Sequence, residues 1–403
     1  MFSSNNLRWL YIGILIRILI MPFFSHPDLF WINLGPLHLN DGIFNIYEYH
    51  GDFKNIHLFK YPPLAYFILG LNLLIFKPAL FSLFNLKNIT DFNFFQKWYN
   101  SSDIFQNLFF LKLHYLAMDI LLITVIFKLT KKKDIFKYWS FCPLFIYAVY
   151  MYSQFDIIPV ALIFLSILLF SREKYSASCF TIGLAGMLKH FPFLLLPLFI
   201  ILMQGNFLNR VKAACAGVIP YILIISLYCS SPSFMSDVLT NSSGYLSDDC
   251  FIFSYISVVI IITLIILFSK KINNRTNLLI RLSFTLLSIF LIFSKELHPQ
   301  FIIWIAPFIL IVTVSEKKYI SAYVFLIIFY FIYIHYCFGR NSSWLLLCPI
   351  DNDLTMLPSA ASLTAPLISA KKIITFSKIA FNIILVYLIF FYPEQKQKER
   401  SYN

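Results

Sequence analysis

Charge is scarce in this chain. Asp, Glu, Lys and Arg make up 13% of its 403 residues, while 59% are hydrophobic. Soluble domains carry about 25% charged residues, so the composition excludes an ordinary globular protein. Short segments of alternating apolar and polar residues are missing too, which excludes a transmembrane β-barrel. The seven cysteines form no Cys-x-x-Cys and no Cys/His pattern, which argues against a metal site. Cys250 and Cys348 fall in connections on the same predicted side and could pair, although small apolar residues near helix ends are the plainer reading. The net charge of +13 is scattered between apolar runs rather than gathered on one face, which excludes a nucleic-acid partner. No internal repeat is visible, which counts against transporters built from duplicated halves. The first apolar run lacks a small-residue cleavage site and reads as a retained span.

What is present is a succession of apolar runs from end to end. They predict an all-α polytopic membrane protein of about twelve transmembrane helices, within a range of about ten to thirteen. The expected spans are 9–24, 108–129, 136–152, 157–171, 175–188, 190–204, 211–229, 251–268, 277–294, 301–315, 319–338 and 373–392. With the N-terminus inside, the inner connections hold Arg8, Lys131, Lys132, Lys133, Lys137, Arg172, Lys174, Arg210, Lys212, Lys270, Lys271, Arg275, Lys317, Lys318, Lys396, Lys398 and Arg400. The outer connections are longer and poorer in Lys and Arg. This bias fixes the orientation and puts both termini in the cytoplasm.

It also resolves an ambiguity. Segment 62–84 is apolar enough to span, but a span there would invert the bias along the rest of the chain. It is therefore expected to lie in the outer interface, broken by Pro62, Pro63 and Pro78. The chain then forms one membrane-embedded domain, 1–403. Its parts are a first outer loop at 25–107 with interfacial helices, a bundle at 108–338, a last outer loop at 339–372 and a cytoplasmic tail at 394–403.

Under this topology the unusual polar residues collect at one rim. They are His26, Asp28, Asp41, Glu48 and Tyr61 in the first loop; Gln154 and Asp156; Lys189 and His190; Lys295, Glu296, His298 and Gln300; and Arg340. The connections carrying most of them are too short to leave the headgroup level, where a charge costs several kcal/mol without a partner or ligand. Acidic and basic groups on one rim suit a cavity for an anionic substrate. Singly, each also suits a helix-end charge reaching water.

Several elements together resemble the integral-membrane glycosyltransferases of the GT-C type. They are His26-Pro27-Asp28, Phe59-Lys60-Tyr61-Pro62-Pro63-Leu64, Ala117-Met118-Asp119, Ser153-Gln154-Phe155-Asp156, Gly186-Met187-Leu188-Lys189-His190-Phe191-Pro192 and Ser294-Lys295-Glu296-Leu297-His298-Pro299-Gln300-Phe301. The order is most similar to bacterial mannosyltransferases that use polyprenyl-phosphate-mannose, and more distantly to the first GPI mannosyltransferase. The resemblance runs from about residue 10 to 310 and leaves the last two spans and the 339–372 loop unmatched. It implies inverting transfer of a mannosyl or other hexosyl group from a polyprenyl-phosphate sugar on the extracytoplasmic face. The acceptor would be a glycolipid or glycan, and no cofactor is implied.

A phosphate leaving group needs no protonation. Such chemistry requires one carboxylate to take the acceptor's proton and cations to hold the departing phosphate. The resemblance assigns the base to Asp28, for which a helix cap is the alternative role. Asp41 is the rival base, although Asn40-Asp41-Gly42 is also an ordinary turn. Lys189, His298 and Arg340 are the expected phosphate ligands, the last without a family motif. His26, Tyr61, Gln154, Asp156, His190, Glu296 and Gln300 are expected to line the substrate. Asp119, inside a span, is expected to pair with a neighbouring helix, with Arg17 as a candidate partner.

Asp351-Asn352-Asp353 has the spacing of metal-dependent nucleotide-sugar transferases, but such donors are absent from the outer face, and no metal is expected. Sequons at Asn88, Asn100, Asn241 and Asn341 fall outside and keep the ER membrane open beside the bacterial inner membrane. A polysaccharide polymerase or ligase, or a flippase or transporter for a lipid-linked substrate, are the competing functions.

Overall fold

The computed structural model describes residues 4–51, 59–86, 97–240, 274–338, 344–345 and 370–391. Helices occupy every expected span that these residues cover; span 251–268 lies outside them. Among the described residues, five helices are long and apolar enough to cross a membrane: Ile104–Thr130, Phe207–Ser226, Arg275–Phe293, Lys317–Phe338 and Ala370–Phe390. The chain is thus an all-α membrane protein in its described parts, apart from one pair of two-residue strands.

The remaining expected spans are shorter than a full crossing. Helix Ile157–Phe170 has 14 residues and Tyr175–Gly186 has 12. At a rise of about 1.5 Å per residue these reach about 20 Å, less than the roughly 30 Å hydrocarbon core. Their connection at 171–174 is exposed, whereas their opposite ends at Asp156 and at Met187 and Leu188 are buried in protein, where non-helical backbone is tolerated at membrane depth. The expected span 136–152 is also interrupted. Helix Ile135–Ser140 stops before Cys142-Pro143, because Pro143 has no N–H to continue the ladder, and the chain resumes as Pro143–Phe145 and a π-helical turn, Ile146–Met151.

Segment 62–84 forms helix Pro63–Ile75, a 3-10 turn at Lys77–Ala79 and helix Phe81–Leu86. Pro78 sits in the expected break. Pro62 and Pro63 open the first helix rather than break it, since a proline at the first helical position loses no hydrogen bond.

Helix packing follows small and polar residues. Tyr175–Gly186 packs between Ile157–Phe170 and Phe207–Ser226. Ser166 and Ser178 exchange bonds, each hydroxyl donating to the other's carbonyl, at 2.7 and 2.8 Å. At Gly183 a Cβ would lie 2.2 Å from the Gly217 carbonyl oxygen, so the two backbones approach this closely only with glycine at 183.

Deep in the bundle, Arg17 pairs with Asp119 as the sequence suggested. Arg17 Nε donates to Asp119 Oδ2 at 2.6 Å, and both side chains are fully buried. Trp139 Nε1 and the Tyr150 hydroxyl donate to the same carboxylate at 2.7 and 2.9 Å. The guanidinium lies 3.8 Å from the centre of the Trp139 ring. Both oxygens of Asp119 are engaged by buried donors, which marks it as structural.

The helices alternate in direction, so the connections sort to two ends. One end holds the segments at 131–134, 171–174, 203–206 and 316–319, with Arg275 donating to the Leu202 and Met203 carbonyls. The other end gathers 21–26, 152–156, 187–190 and 294–298. Strand Phe24–Ser25 pairs antiparallel with Trp344–Leu345, which brings part of 339–372 to this second end.

Candidate functional site

The second end is where the predicted site residues meet. Helix Pro27–Leu37 begins beside the last turn of Ser4–Ile20, with Pro27 at its first position. His26 caps it: the Asp28 backbone N–H donates to His26 Nδ1 at 3.1 Å. The cap expected as the alternative role of Asp28 therefore belongs to His26. Because Nδ1 accepts that proton, it cannot also donate to Asp28 Oδ1 at 3.5 Å, and that approach is a contact rather than an ion pair. The His26 ring stacks on Tyr152, with centroids 3.8 Å apart.

Asp28 itself points out of the first helical turn, its side chain 38% exposed. The positive end of the helix favours its charge. Gln154 Nε2 donates to Asp28 Oδ2 at 2.7 Å. Gln154 is aimed there by the turn that follows the π-helical segment. Ser153 takes a left-handed φ of 64°, and the Gln154 N–H closes the turn on the Ala148 carbonyl at 3.1 Å. A non-glycine residue held at positive φ is a strained choice that recurs at functional sites.

Two residues farther on, Asp156 opens helix Ile157–Phe170 and is fully buried. Lys189 Nζ reaches both its oxygens, at 2.8 and 2.6 Å. Trp304 Nε1 donates to Oδ1 at 2.6 Å. The sequence assigns Asp156 to sugar and Lys189 to phosphate; the fold joins them in one ion pair. Lys189 is positioned by the sharp reversal after Tyr175–Gly186. A Cβ at Gly186 would sit 2.2 Å from the Phe193 ring, so the turn closes only with glycine. The ammonium also lies 5.5 Å from the centre of the Tyr61 ring and 5.2 Å from that of Phe155. Tyr61 meets Phe155 edge to face at 4.9 Å, so the Tyr-Pro-Pro-Leu element covers the pair from above.

His190 follows Lys189 in the chain, with its ring against Tyr221 at 6.1 Å, and Gln300 sits in the 3-10 turn Pro299–Phe301. Trp304 stacks on Phe191 at 3.9 Å and packs on Phe301 at 4.6 Å, which ties together the two short turns that carry them. His190 Nε2 and Gln300 Oε1 are buried without a hydrogen-bond partner.

His298 lies 3.9 Å from Glu296, whose side chain is half-exposed, and against Phe301 and Phe338. Burial holds its imidazole below the ordinary histidine value, against the opposing charges of Glu296 and Asp28 and with the help of Lys189. His298 is thus within electrostatic reach of both the carboxylate and the ammonium. Tyr99, 3.2 Å from Ser25 Oγ, is held protonated by burial and by the Asp28 charge.

Asp41 lies elsewhere. It ends the 3-10 turn His38–Asp41, just beyond the far end of helix Pro27–Leu37, with Asn40 Nδ2 at 3.4 Å. From Asp28 to Leu37 the helix axis rises about 14 Å, and Asp41 lies four residues past that end. Arg340, Asp351-Asn352-Asp353, Cys250 and Cys348 lie outside the described residues. No group of three metal-ligating side chains occurs among the described residues. Sequence reasoning missed Trp304 and Tyr152, which look like ordinary aromatic residues of apolar segments.

Residues 113–294 match the family model of glycosyltransferase family 87, which supports glycosyltransferase activity. The matched stretch includes Gln154, Asp156, Lys189 and His190, and excludes Asp28, Tyr61 and His298. No curated protein and no solved structure matches the chain.

Proposed function

We propose that this glycosyltransferase takes a hexosyl group, mannosyl in the first instance, from a polyprenyl-phosphate sugar and transfers it to a glycolipid or glycan acceptor. Transfer takes place on the extracytoplasmic side, with inversion at the anomeric carbon. Asp28 removes the acceptor hydroxyl proton as that oxygen attacks opposite the phosphate. The bond from the anomeric carbon to the phosphate oxygen breaks, and polyprenyl phosphate leaves with the electron pair.

The observation that carries this reading is the Gln154–Asp28 contact. A half-exposed carboxylate at a helix N-terminus is oriented through one oxygen by a fixed amide, which leaves the other oxygen to accept a proton. Lys189 keeps one N–H beyond the two it gives to Asp156, and that proton suits a phosphate oxygen. Asp156 offsets much of its charge, so His298 shares the anion; Arg340 is a third candidate from the last outer loop. Asp156 acts on the sugar through Lys189 rather than directly, while His190 and Gln300 offer their unpartnered atoms to hydroxyls. The basic connections at the opposite end support an outward-facing site by the positive-inside rule. The bacterial inner membrane is the proposed location.

The test is incubation of the purified protein with radiolabelled polyprenyl-phosphate sugars, scoring release of polyprenyl phosphate. Wild type is expected to release it, D28N to lose turnover by orders of magnitude, and D41N to keep it. Retained turnover in D28N would overturn the base assignment. Transbilayer movement of intact donor without release would assign a flippase instead.

A further inference from the structure

Lys112 lies inside helix Ile104–Thr130, between Leu111 and Leu113, and is fully buried. Its Nζ donates to three backbone carbonyls: Met21 at 3.0 Å, Tyr150 at 2.9 Å, and Phe24. An ammonium has three N–H donors and no acceptor, so these bonds use every proton. A neutral amine keeps two N–H donors, so only an ammonium donates to all three carbonyls at once. A leucine here would take these donors away from all three carbonyls.

The three acceptors explain the choice. Met21 and Phe24 follow helix Ser4–Ile20, and Tyr150 belongs to the π-helical turn Ile146–Met151. Phe24 precedes Asp28 by four residues, and Tyr150 precedes Gln154 by four. One ammonium therefore grips, at equal distance upstream, the two segments whose side chains meet at 2.7 Å. We propose that Lys112 is a positioning residue that sets the distance between Asp28 and Gln154. The proposal rests on the reading of Asp28 as the base.

Two measurements on purified wild type, K112M and K112Q test it. Backbone hydrogen exchange is expected to rise in K112M within both 21–31 and 150–156, while helix Arg275–Phe293 keeps its protection. In the polyprenyl-phosphate release assay, kcat is expected to fall about 100-fold with donor KM little changed, because a displacement near 1 Å is enough for such a loss. K112Q, whose amide still donates two protons, is expected to recover part of the rate and serves if K112M does not fold. K112M added to Q154A is expected to cost little more than either alone, since both act on one relationship.

Unchanged exchange in either segment overturns the clamp. So does a K112M enzyme with normal kcat, or losses from K112M and Q154A that multiply. Retained turnover in D28N removes the base assignment, while the exchange measurement still judges the clamp, so the two failures read separately.

Discussion

Gln154 and Asp28 are 126 residues apart in the chain and 2.7 Å apart in space. The amide faces one carboxylate oxygen, and a general base needs its remaining lone pairs aimed at the acceptor. Replacing Gln154 with alanine frees the carboxylate to rotate. Q154A is expected to lower kcat by about 10- to 100-fold, with donor KM and melting temperature close to wild type. Steady-state release of polyprenyl phosphate beside a thermal-unfolding scan checks this. A large fall in melting temperature would make Gln154 structural.

The Asp156–Lys189 pair predicts a different pattern. K189M leaves a fully buried carboxylate with only the Trp304 N–H, and breaking such a pair costs about 3–5 kcal/mol. K189M and D156A are each expected to unfold at markedly lower temperature. The double variant is expected to be less destabilised than the sum of the two, because neither charge is then left alone. A double-mutant cycle in thermal unfolding measures the coupling. Additive losses would mean that the two groups do not act as a pair.

His298 gives a pH signature whose sign follows from its surroundings. Burial holds its pKa below the ordinary value, so the folded protein binds fewer protons than the unfolded chain in that range. Its contribution to stability is complete above about pH 6.5 and is lost as pH falls from there toward the folded value. Melting temperature is expected to drop over that window in wild type and to drop less in H298Q. Parallel curves for the two proteins would show that His298 is not desolvated.

The Arg17–Asp119 network is predicted to govern stability alone. D119A strands a fully buried guanidinium, which costs about 3–5 kcal/mol. A large fall in melting temperature is expected, with turnover per folded molecule close to wild type. Turnover lost in folded D119A would draw Asp119 into the site.

Much of the helical frame was legible because apolar runs are long and their punctuation is simple. The pairing of Arg17 with Asp119 was legible for a related reason: two charges inside spans have few alternatives to each other. The site was legible as a neighbourhood, through short polar connections sorted to one end by charge. The pairings within it were not. Nothing in the spacing tells that Asp156 meets Lys189, that Trp304 donates to the same carboxylate, or that His26 rather than Asp28 caps its helix. Those relations depend on rotamers and on the reversal at Gly186. The break before Pro143 and the π-helical turn after it were hidden by an apolar run that reads as one helix. Lys112 had a signal that went unused, a lone cation between leucines within a span.

The distance along the chain between Arg17 and Asp119 sets a problem for biogenesis. At about 5–20 residues per second, the sequence separation of 102 takes roughly 5–20 s to synthesise. During that interval the first helix carries an unneutralised guanidinium. It must wait at the protein-lined insertion machinery, or with its cation drawn toward water, until the helix bearing its counter-charge emerges. A nascent chain arrested short of residue 119 is therefore expected to remain extractable by alkali, and one arrested past 130 to resist extraction.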